Sequence, residues 1–490
     1  MSGKNEAKKG AFSLERDLKR NISYQTMYQL LSVIAPLVVT PYISRLLGSE
    51  NIGTYSYTYS IAYYFVMFAI LGVTNYGNRT IASVNKSREE RSRVFWEIYV
   101  FQMIMSILML GLYIVYLLLF CKKNHFIAIL QILYVLTPLF DISWLFFGCE
   151  DVKPVVIKNT IVKIISLVGI FTLVRSEKDL WIYTILLSGG QLFGMISMWF
   201  SLSKVIDFYK PCLTNIKKHI VPNITLFIPV IAISVYKTMD KIMIGALSSN
   251  AQVGFYTNAE SLINAPMGFI LAVGTVMLPR ITNMLANGKQ DESIELFHKS
   301  MKLTMCFVCA ASFGISTVAA SFVPIYYGAG YQDCIFLLRG QAIVMLFLAW
   351  ANVVRTQYLL PHKHDKKYIL SIFSGAGINV VLNLILIPKY QAAGAMVATI
   401  AAEGIVCIVQ TLDAVHHINI FKCFMENIFF IISGIVMMVL TKTIVKTNAS
   451  VKSLFLQIFV GGAIYVSLLA IYIFCQRNIQ KTIHSNDGGK

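Results

Sequence analysis

The amino-acid sequence predicts an all-α polytopic membrane protein with about 14 transmembrane helices. Hydrophobic residues make up 56% of the 490 residues, charged residues make up 13%, and the mean hydropathy is +0.65. A soluble globular domain contains about 25% charged residues. Apolar segments long enough to span a bilayer recur along the whole chain, whereas the strands of a membrane barrel are short and alternate in polarity. The composition and the segment lengths therefore both favour a helical membrane protein.

The first apolar segment follows a charged arm, residues 1–20. It is too long for a signal peptide and lacks a small-residue cleavage site, so an uncleaved first span is predicted. The predicted spans lie near residues 21–47, 52–76, 93–120, 125–148, 154–174, 180–203, 220–247, 252–279, 299–327, 331–358, 367–388, 391–415, 423–445 and 452–475.

The distribution of basic residues predicts the orientation of these spans. If the N-terminus is cytoplasmic, 30 Lys and Arg residues fall on the inner side and 9 on the outer side. Positive charge on short connectors marks the cytoplasmic side. Both termini are therefore predicted to be cytoplasmic. The net charge of +18 then reflects topology, and no nucleic-acid partner is predicted.

A weak internal repeat predicts two lobes. At a shift of 201 residues, Gly-x-Tyr opens an even-numbered span in both halves, and an arginine closes it. Repeats in the same orientation are typical of transporters with a central cleft. The matched positions are Ile43 with Ile244, Gly53 with Gly254, Tyr55 with Tyr256 and Arg79 with Arg280. The predicted parts are the arm 1–20, a six-helix lobe 21–204, a cytoplasmic linker 205–219, a six-helix lobe 220–418, two extra helices in 419–476 and a cytoplasmic tail 477–490.

Three ionisable residues, Lys237, Asp240 and Lys241, lie inside the seventh span. Ionisable side chains within a spanning helix are costly, and by default they face a protein interior or a water-filled pathway. The spacing of Lys237 and Asp240 also permits partial neutralisation on one helix face. Two interpretations stay open: a substrate-binding cleft, or an ion-pair clasp between helices.

Other candidate residues complete the predicted site. Arg339 lies about two turns into the tenth span, and Arg79 and Arg280 lie at the predicted inner mouth of the cleft. Glu403, near the membrane midplane, is a candidate for ion coupling, as is Asp240. Tyr59 belongs to a stripe of tyrosines on one face of the second span, which suits either sugar contact or an interfacial aromatic belt.

Several classes of function are disfavoured. The Cys306/Cys309 pair lies in an apolar run without a second pair, and the histidines of the cytoplasmic connectors lack a third ligand pattern, so no metal or cofactor is predicted. There is no Walker motif. A membrane-embedded enzyme would need a cluster of carboxylates or histidines at one membrane face; Asp141, Glu150 and Asp151 fit helix ends better, and no enzyme activity is predicted.

Five stretches carry a resemblance to a known family: PYISRLLGSENIGTYSY, YGNRTIA, DISWLFFGCED, TMDKIMIGALSSNAQVGFYTNAE and QYLLPHKHDKKY. They resemble the oligosaccharide flippase, or Wzx-type polysaccharide transporter, family of the multidrug/oligosaccharidyl-lipid/polysaccharide exporter superfamily. The resemblance covers about residues 20–475. It implies that undecaprenyl-diphosphate-linked oligosaccharides are moved from the inner to the outer leaflet of a bacterial plasma membrane for capsule, exopolysaccharide or cell-wall polymers. The implied partners are this lipid, the bilayer, and a polymerase with its assembly machinery.

Other functions remain open alongside the flippase. A cation-coupled multidrug antiporter has the same architecture but needs an acidic cavity without competing lysines. A flippase for lipid-linked peptidoglycan precursors is hardly separable by sequence. A non-transporting assembly scaffold gives no reason for charge at the membrane midplane.

Overall fold

In the computed structural model, the chain consists of helices joined by short connectors. The structure describes residues 2–415 and 417–487, and within them the side chains of 31–32, 34–212, 215–235, 238–415 and 417–475. All regular structure in these ranges is helical, and no strand occurs among them. The all-α prediction is confirmed.

Two compact units divide the chain, Met1–Gly254 and Phe255–Lys490. The α-helices of the first unit are α1 (Ser2–Ile70), α2 (Val73–Val84), α3 (Arg88–Leu119), α4 (His125–Leu130), α5 (Ile132–Val135), α6 (Thr137–Phe140), α7 (Ser143–Gly148), α8 (Lys153–Leu173), α9 (Leu180–Thr184), α10 (Gly190–Met198) and α11 (Leu213–Leu247). Helix α12 (Asn250–Ala286) starts in the first unit. The second unit continues with α13 (Gln290–Tyr326), α14 (Asp333–Val354), α15 (Asp365–Ala414), α16 (Ile420–Ile444) and α17 (Val451–Asp487). The six-helix lobes around a cleft remain a prediction.

Among the described residues, 12 helical stretches are long and apolar enough to cross a membrane. Two of them, Ile34–Val84 and Asp365–Ala414, contain 51 and 50 residues, while one crossing needs about 20. Both contain a backbone break. Gly48 has φ 73° and ψ 171°, and Gln391 has φ 54° and ψ −133°. Counting two crossings in each stretch gives about fourteen spans, as the apolar segments predict.

The fourth predicted span is a series of short helices rather than one continuous helix. Between α6 and α7 the backbone of Asp141 is extended, with φ −76° and ψ 106°. Gln102 of α3 satisfies backbone groups that this break leaves without helical partners, because its Nε2 donates to the carbonyl oxygens of Pro138 and Asp141 at 2.5 and 2.8 Å. Its Oε1 accepts from Trp144 Nε1 at 3.0 Å. Non-helical backbone at membrane depth is tolerated where neighbouring protein groups satisfy it, so α3 supports this break.

Aromatic packing joins α2, α3 and α7 within the first unit. The indole of Trp144 is 1% exposed and stacks on Phe95 at a centroid distance of 5.2 Å. Gly77 of α2 lies directly against this indole, since a Cβ there would be 2.5 Å from Trp144 Cε3. Close approach through glycine is typical of helix packing in membranes. This contact holds α2, which carries Arg79, against α7.

Candidate functional site

The charged segment of α11 lies in the first unit, where the structure describes two of its three ionisable side chains. Asp240 is buried, with 1% of its surface exposed, and Lys241 is partly buried. The backbone of Lys237 is helical, but its side chain lies outside the described residues. A carboxylate that is buried in a spanning helix faces protein or a cavity rather than lipid.

Helix α1 packs against the part of α11 that carries Asp240. Tyr64 Oη donates to the carbonyl oxygen of Ser234 at 3.1 Å, and the phenol lies within electrostatic range of the Asp240 carboxylate. About three turns beyond Ser234 along α11, a Cβ at Gly245 would lie 2.2 Å from the ring of Tyr57. These contacts set the position of Asp240 relative to the second half of α1.

The two Gly-x-Tyr motifs begin at one tight crossing within the first unit. A Cβ on Gly53 would lie 1.6 Å from the carbonyl oxygen of Asn250, and a Cβ on Gly254 would lie 2.0 Å from that of Ser49. Asn250 Nδ2 also donates to Thr54 Oγ1 at 2.9 Å. Backbones approach this closely only where there is no side chain. The repeated glycines therefore allow these two chain segments to touch.

Tyr59 belongs to a cluster of tyrosine rings in the first unit. Its ring stacks on Tyr134 at 4.6 Å and on Tyr55 at 5.7 Å, and its Oη donates to Tyr134 Oη at 3.2 Å. Tyr183 packs edge-on against Tyr55 at 5.0 Å. Tyr59 itself is only partly buried. An amphipathic ring of this kind suits contact with a sugar face, and it also suits packing between helices.

The three arginines of the predicted site lie in different surroundings. Arg79 is exposed on α2 in the first unit, and Arg280 is exposed on α12 in the second. Arg339 is partly buried, and its Nε donates to the carbonyl oxygen of Ser316 on α13 at 3.3 Å. Its guanidinium also lies within electrostatic range of Lys442 on α16. The structure thus places Arg339 close to a second cation of its own unit.

Glu403 is buried in the second half of α15, with 4% of its surface exposed. Thr399, one turn earlier on the same helix face, lies with its Oγ1 3.1 Å from Tyr256 Oη. Residues four apart in a helix share a face. The tyrosine of the second Gly-x-Tyr motif therefore contacts the face of α15 that carries Glu403.

A buried polar cluster, which the sequence analysis missed, joins α3 to the start of α11. Glu97 of α3 is fully buried. It accepts from Lys218 Nζ at 2.8 Å and from Asn215 Nδ2 at 2.9 Å, and it lies 3.1 Å from His219 Nε2. His219 Nδ1 lies 2.7 Å from Tyr76 Oη on α2. We call Glu97, Asn215, Lys218, His219 and Tyr76 the Glu97 cluster. Its only signal in the sequence is a single acidic residue at the start of an apolar run.

The connector before α11 is also bound to α3. Arg88 Nε and Nη2 donate to the carboxylate of Asp207, each at 2.8 Å, and Trp96 Nε1 donates to its carbonyl oxygen at 3.1 Å. Arg91 Nη2 donates to the carbonyl oxygen of Val205 at 2.6 Å. The hydrogen bonds from Arg88 hold the pKa of Asp207 below its usual range. The predicted linker 205–219 is thus anchored to α3 at both of its ends.

Comparison with known proteins identifies the family. The family model described as polysaccharide biosynthesis protein matches residues 18–285, which is more than half of the chain. The chain belongs to this family. The Wzx-type resemblance of the sequence motifs is thereby confirmed, and with its apolar helices the chain is a multi-pass membrane protein of polysaccharide biosynthesis.

Two curated relatives illustrate the similarity. A protein of Escherichia coli (strain K12) named as an O-antigen transporter is 24% identical over 399 residues, covering 81% of this chain and 95% of the relative. A protein of Haloferax volcanii named as a low-salt glycan biosynthesis flippase is 22% identical over 254 residues, covering 48% of this chain and 50% of the relative. These relatives are named as transporters or flippases rather than as enzymes.

Solved structures support the fold. The lipid II flippase MurJ, in an inward closed conformation, matches with a TM-score of 0.72 at 17% identity, over 92% of this chain and 98% of MurJ. An inward-facing multidrug resistance transporter of the MATE family and the MOP superfamily matches with a TM-score of 0.61 at 12% identity, over 82% of this chain and 99% of that chain. At such low identity the similarity shows the fold alone.

Proposed function

We propose that this protein is a flippase that moves undecaprenyl-diphosphate-linked oligosaccharide units from the inner to the outer leaflet of the plasma membrane. A polymerase and its assembly machinery would then use the transported units for the synthesis of capsule, exopolysaccharide or cell-wall polymer. The observation that carries this proposal is the family match over residues 18–285. The O-antigen transporter of Escherichia coli, which aligns over 95% of its own length, supports it. The similarity to MurJ shows the fold alone, so it does not support a second candidate function.

The headgroup of such a lipid determines what the protein must supply. Charged phosphates and sugar hydroxyls cannot cross hydrocarbon unaided, because their loss of hydration is heavily penalised. Lysine and arginine side chains stabilise phosphate groups through charge-assisted hydrogen bonds. In this proposal the exposed Arg79 and Arg280 meet the diphosphate first, and Lys237, Lys241 and Arg339 hold it within the membrane, while Tyr59 contacts sugar.

The membrane potential provides one source of energy for the proposed direction. Two negative charges that move outward across an inside-negative membrane gain about 4–5 kcal/mol per 100 mV. This gain requires no coupled ion. Both termini are placed in the cytoplasm in this proposal, following the distribution of basic residues.

A reconstituted flipping assay tests the cation roles. We expect Lys241→Ala and Lys237→Ala each to slow the transfer of a fluorescent polyprenyl-diphosphate oligosaccharide by about 10- to 100-fold, because a charge-assisted contact contributes about 1.5–3 kcal/mol. Transfer is measured as exposure of the label to a membrane-impermeant quencher. Lys178→Ala, at an exposed connector position, serves as the matched control. A wild-type rate for Lys241→Ala in well-folded protein would remove this residue from the site.

Ion coupling is tested with the two buried acids. If Asp240 or Glu403 carries a coupled ion, Asp240→Asn or Glu403→Gln will abolish the dependence of transfer on a pH or sodium gradient, since the neutral amide cannot exchange the ion. The same vesicle assay is run with and without each gradient. Unchanged gradient responses in both variants would exclude these two acids as coupling sites.

A further inference from the structure

A second cationic site lies away from the residues assigned to transport. A cavity of about 390 Å³ opens in the first unit beside α7, α8 and the helical turn that follows α10. None of the residues of the proposed transport site lines it. Its polar lining consists of Lys153, Lys158, Lys204, Ser197, Ser201 and Asp151.

Lys158 is the most unusual member of this lining. It is 8% exposed, and its stem passes close to Gly194, where a Cβ would lie 3.3 Å from Lys158 Cγ. Its Nζ donates to the thioether sulfur of Met195 at 3.3 Å. The carboxylate of Asp141 lies within electrostatic range, but no hydrogen bond joins the two side chains in the described part of the chain. A thioether is a weak acceptor, and an ammonium has three donors, so this buried cation calls for a stronger acceptor.

The charges around the cavity favour an anion. Three lysines face one carboxylate, Asp151, among the lining residues. The cavity also adjoins the N-terminus of α8, a helix of 21 residues that begins at Lys153. Helix N-termini carry partial positive charge and bind phosphate through their free N–H groups. The hydroxyl of Ser197 already donates to the carbonyl oxygen of Gly194 at 2.7 Å, and Pro154 in the first turn of α8 has no N–H. The three lysines, the remaining N–H groups of this turn and the hydroxyl of Ser201 form a set suited to a phosphate ester.

The apolar side chains that line the cavity indicate that its ligand comes from the membrane. Ile157 and Ile161, both in the lining, are 43% and 48% exposed on the spanning helix α8. Exposed apolar side chains of a spanning helix face hydrocarbon. The ligand therefore joins a phosphate to an apolar chain. Basic pockets between spanning helices on the cytoplasmic side bind anionic lipid headgroups, and the three lysines are on the predicted inner side.

We propose that this cavity binds the headgroup phosphate of an anionic phospholipid of the inner leaflet, with its chains against Ile157 and Ile161. Lys158 contacts the phosphate from within, and Lys153 and Lys204 contact it from the surface. The inference does not depend on which molecule the protein transports.

Thermal unfolding of the purified full-length protein tests the inference. Phosphatidylglycerol, added to delipidated protein in detergent, is expected to raise the unfolding midpoint, whereas phosphatidylcholine is not. Lys158→Met is expected to abolish most of this rise and to reduce the phosphatidylglycerol retained in native mass spectra roughly tenfold; Lys204→Gln is expected to reduce it roughly fivefold. Replacing a buried charge by an apolar side chain of similar volume is often neutral or stabilising, so Lys158→Met should fold.

Lys163→Met is the matched control, because Lys163 lies on the same helix, is partly buried and does not line the cavity. It should keep both the wild-type rise and the retained lipid. Four outcomes overturn the inference: wild-type retention by Lys158→Met, an equal effect of phosphatidylcholine, an equal effect of inorganic phosphate alone, or selective retention of polyprenyl-diphosphate lipid, which would place the cavity on the substrate's route.

Discussion

Gly53→Ala is expected to destabilise the protein by about 3 kcal/mol or more and to remove most of its transport activity. The new Cβ would lie 1.6 Å from a backbone oxygen, that of Asn250, and 2.9 Å from the backbone nitrogen of Gly254. Backbone atoms cannot rotate away as a flexible side chain can, so the two segments must separate. Their separation also breaks the hydrogen bond from Asn250 to Thr54.

Thermal unfolding in detergent and the vesicle flipping assay measure these two effects. Gly111→Ala is the matched control in the same unit, since nothing lies within 4 Å of a Cβ there. Because alanine favours helix more than glycine by up to about 1 kcal/mol, the control should be neutral or slightly more stable. Equal midpoints for the two variants would contradict the close approach at Gly53.

Glu97→Ala is expected to have the second largest effect, a loss of about 3 kcal/mol of stability. Removing one partner of a buried ion pair typically costs about 3–5 kcal/mol, and the lower end applies because the Lys218 side chain is 51% exposed. His219, which is 2% exposed, would lose the carboxylate beside its Nε2. The start of α11 would thereby lose its attachment to α3.

A denaturant titration of the purified protein, followed by circular dichroism, measures this loss. Glu89→Ala is the control, because Glu89 is exposed in the first turn of the same helix, where a carboxylate contributes at most about 1 kcal/mol. The stability of Glu97→Gln should lie between those of Glu97→Ala and Glu89→Ala, since glutamine retains the shape of the side chain and removes its charge. Glu97→Ala as stable as Glu89→Ala would exclude a structural role for the Glu97 cluster.

Much of the fold could be predicted because membrane spans depend on local composition. The long apolar runs predict helices, and the break at Gly48 falls between two predicted spans because glycine tolerates a positive φ. The interruption at Asp141 escaped prediction. It depends on Gln102, which lies 39 residues earlier in the chain and satisfies the freed backbone groups.

The candidate site was less accessible from sequence, because the environment of a charge depends on distant partners. Glu97 and His219 are 122 residues apart, and the sequence around each residue gives no sign of the contact. In the sequence, Lys158 counted only as one of the basic residues that predict the orientation of the spans. Its burial could not be predicted, because it depends on Gly194 and Met195 of another helix. Arg339 was predicted to face the cleft, a prediction that stands untested, while the structure adds its contact with Ser316.

The most direct test of the proposed flippase activity is a lipid extract from cells that lack this protein. We expect complete polyprenyl-diphosphate-linked repeat units to accumulate and the surface polymer to disappear, with both effects reversed by the wild-type protein. Such accumulation would also identify the transported oligosaccharide. Normal pools of lipid-linked oligosaccharide together with intact surface polymer would contradict the flippase proposal.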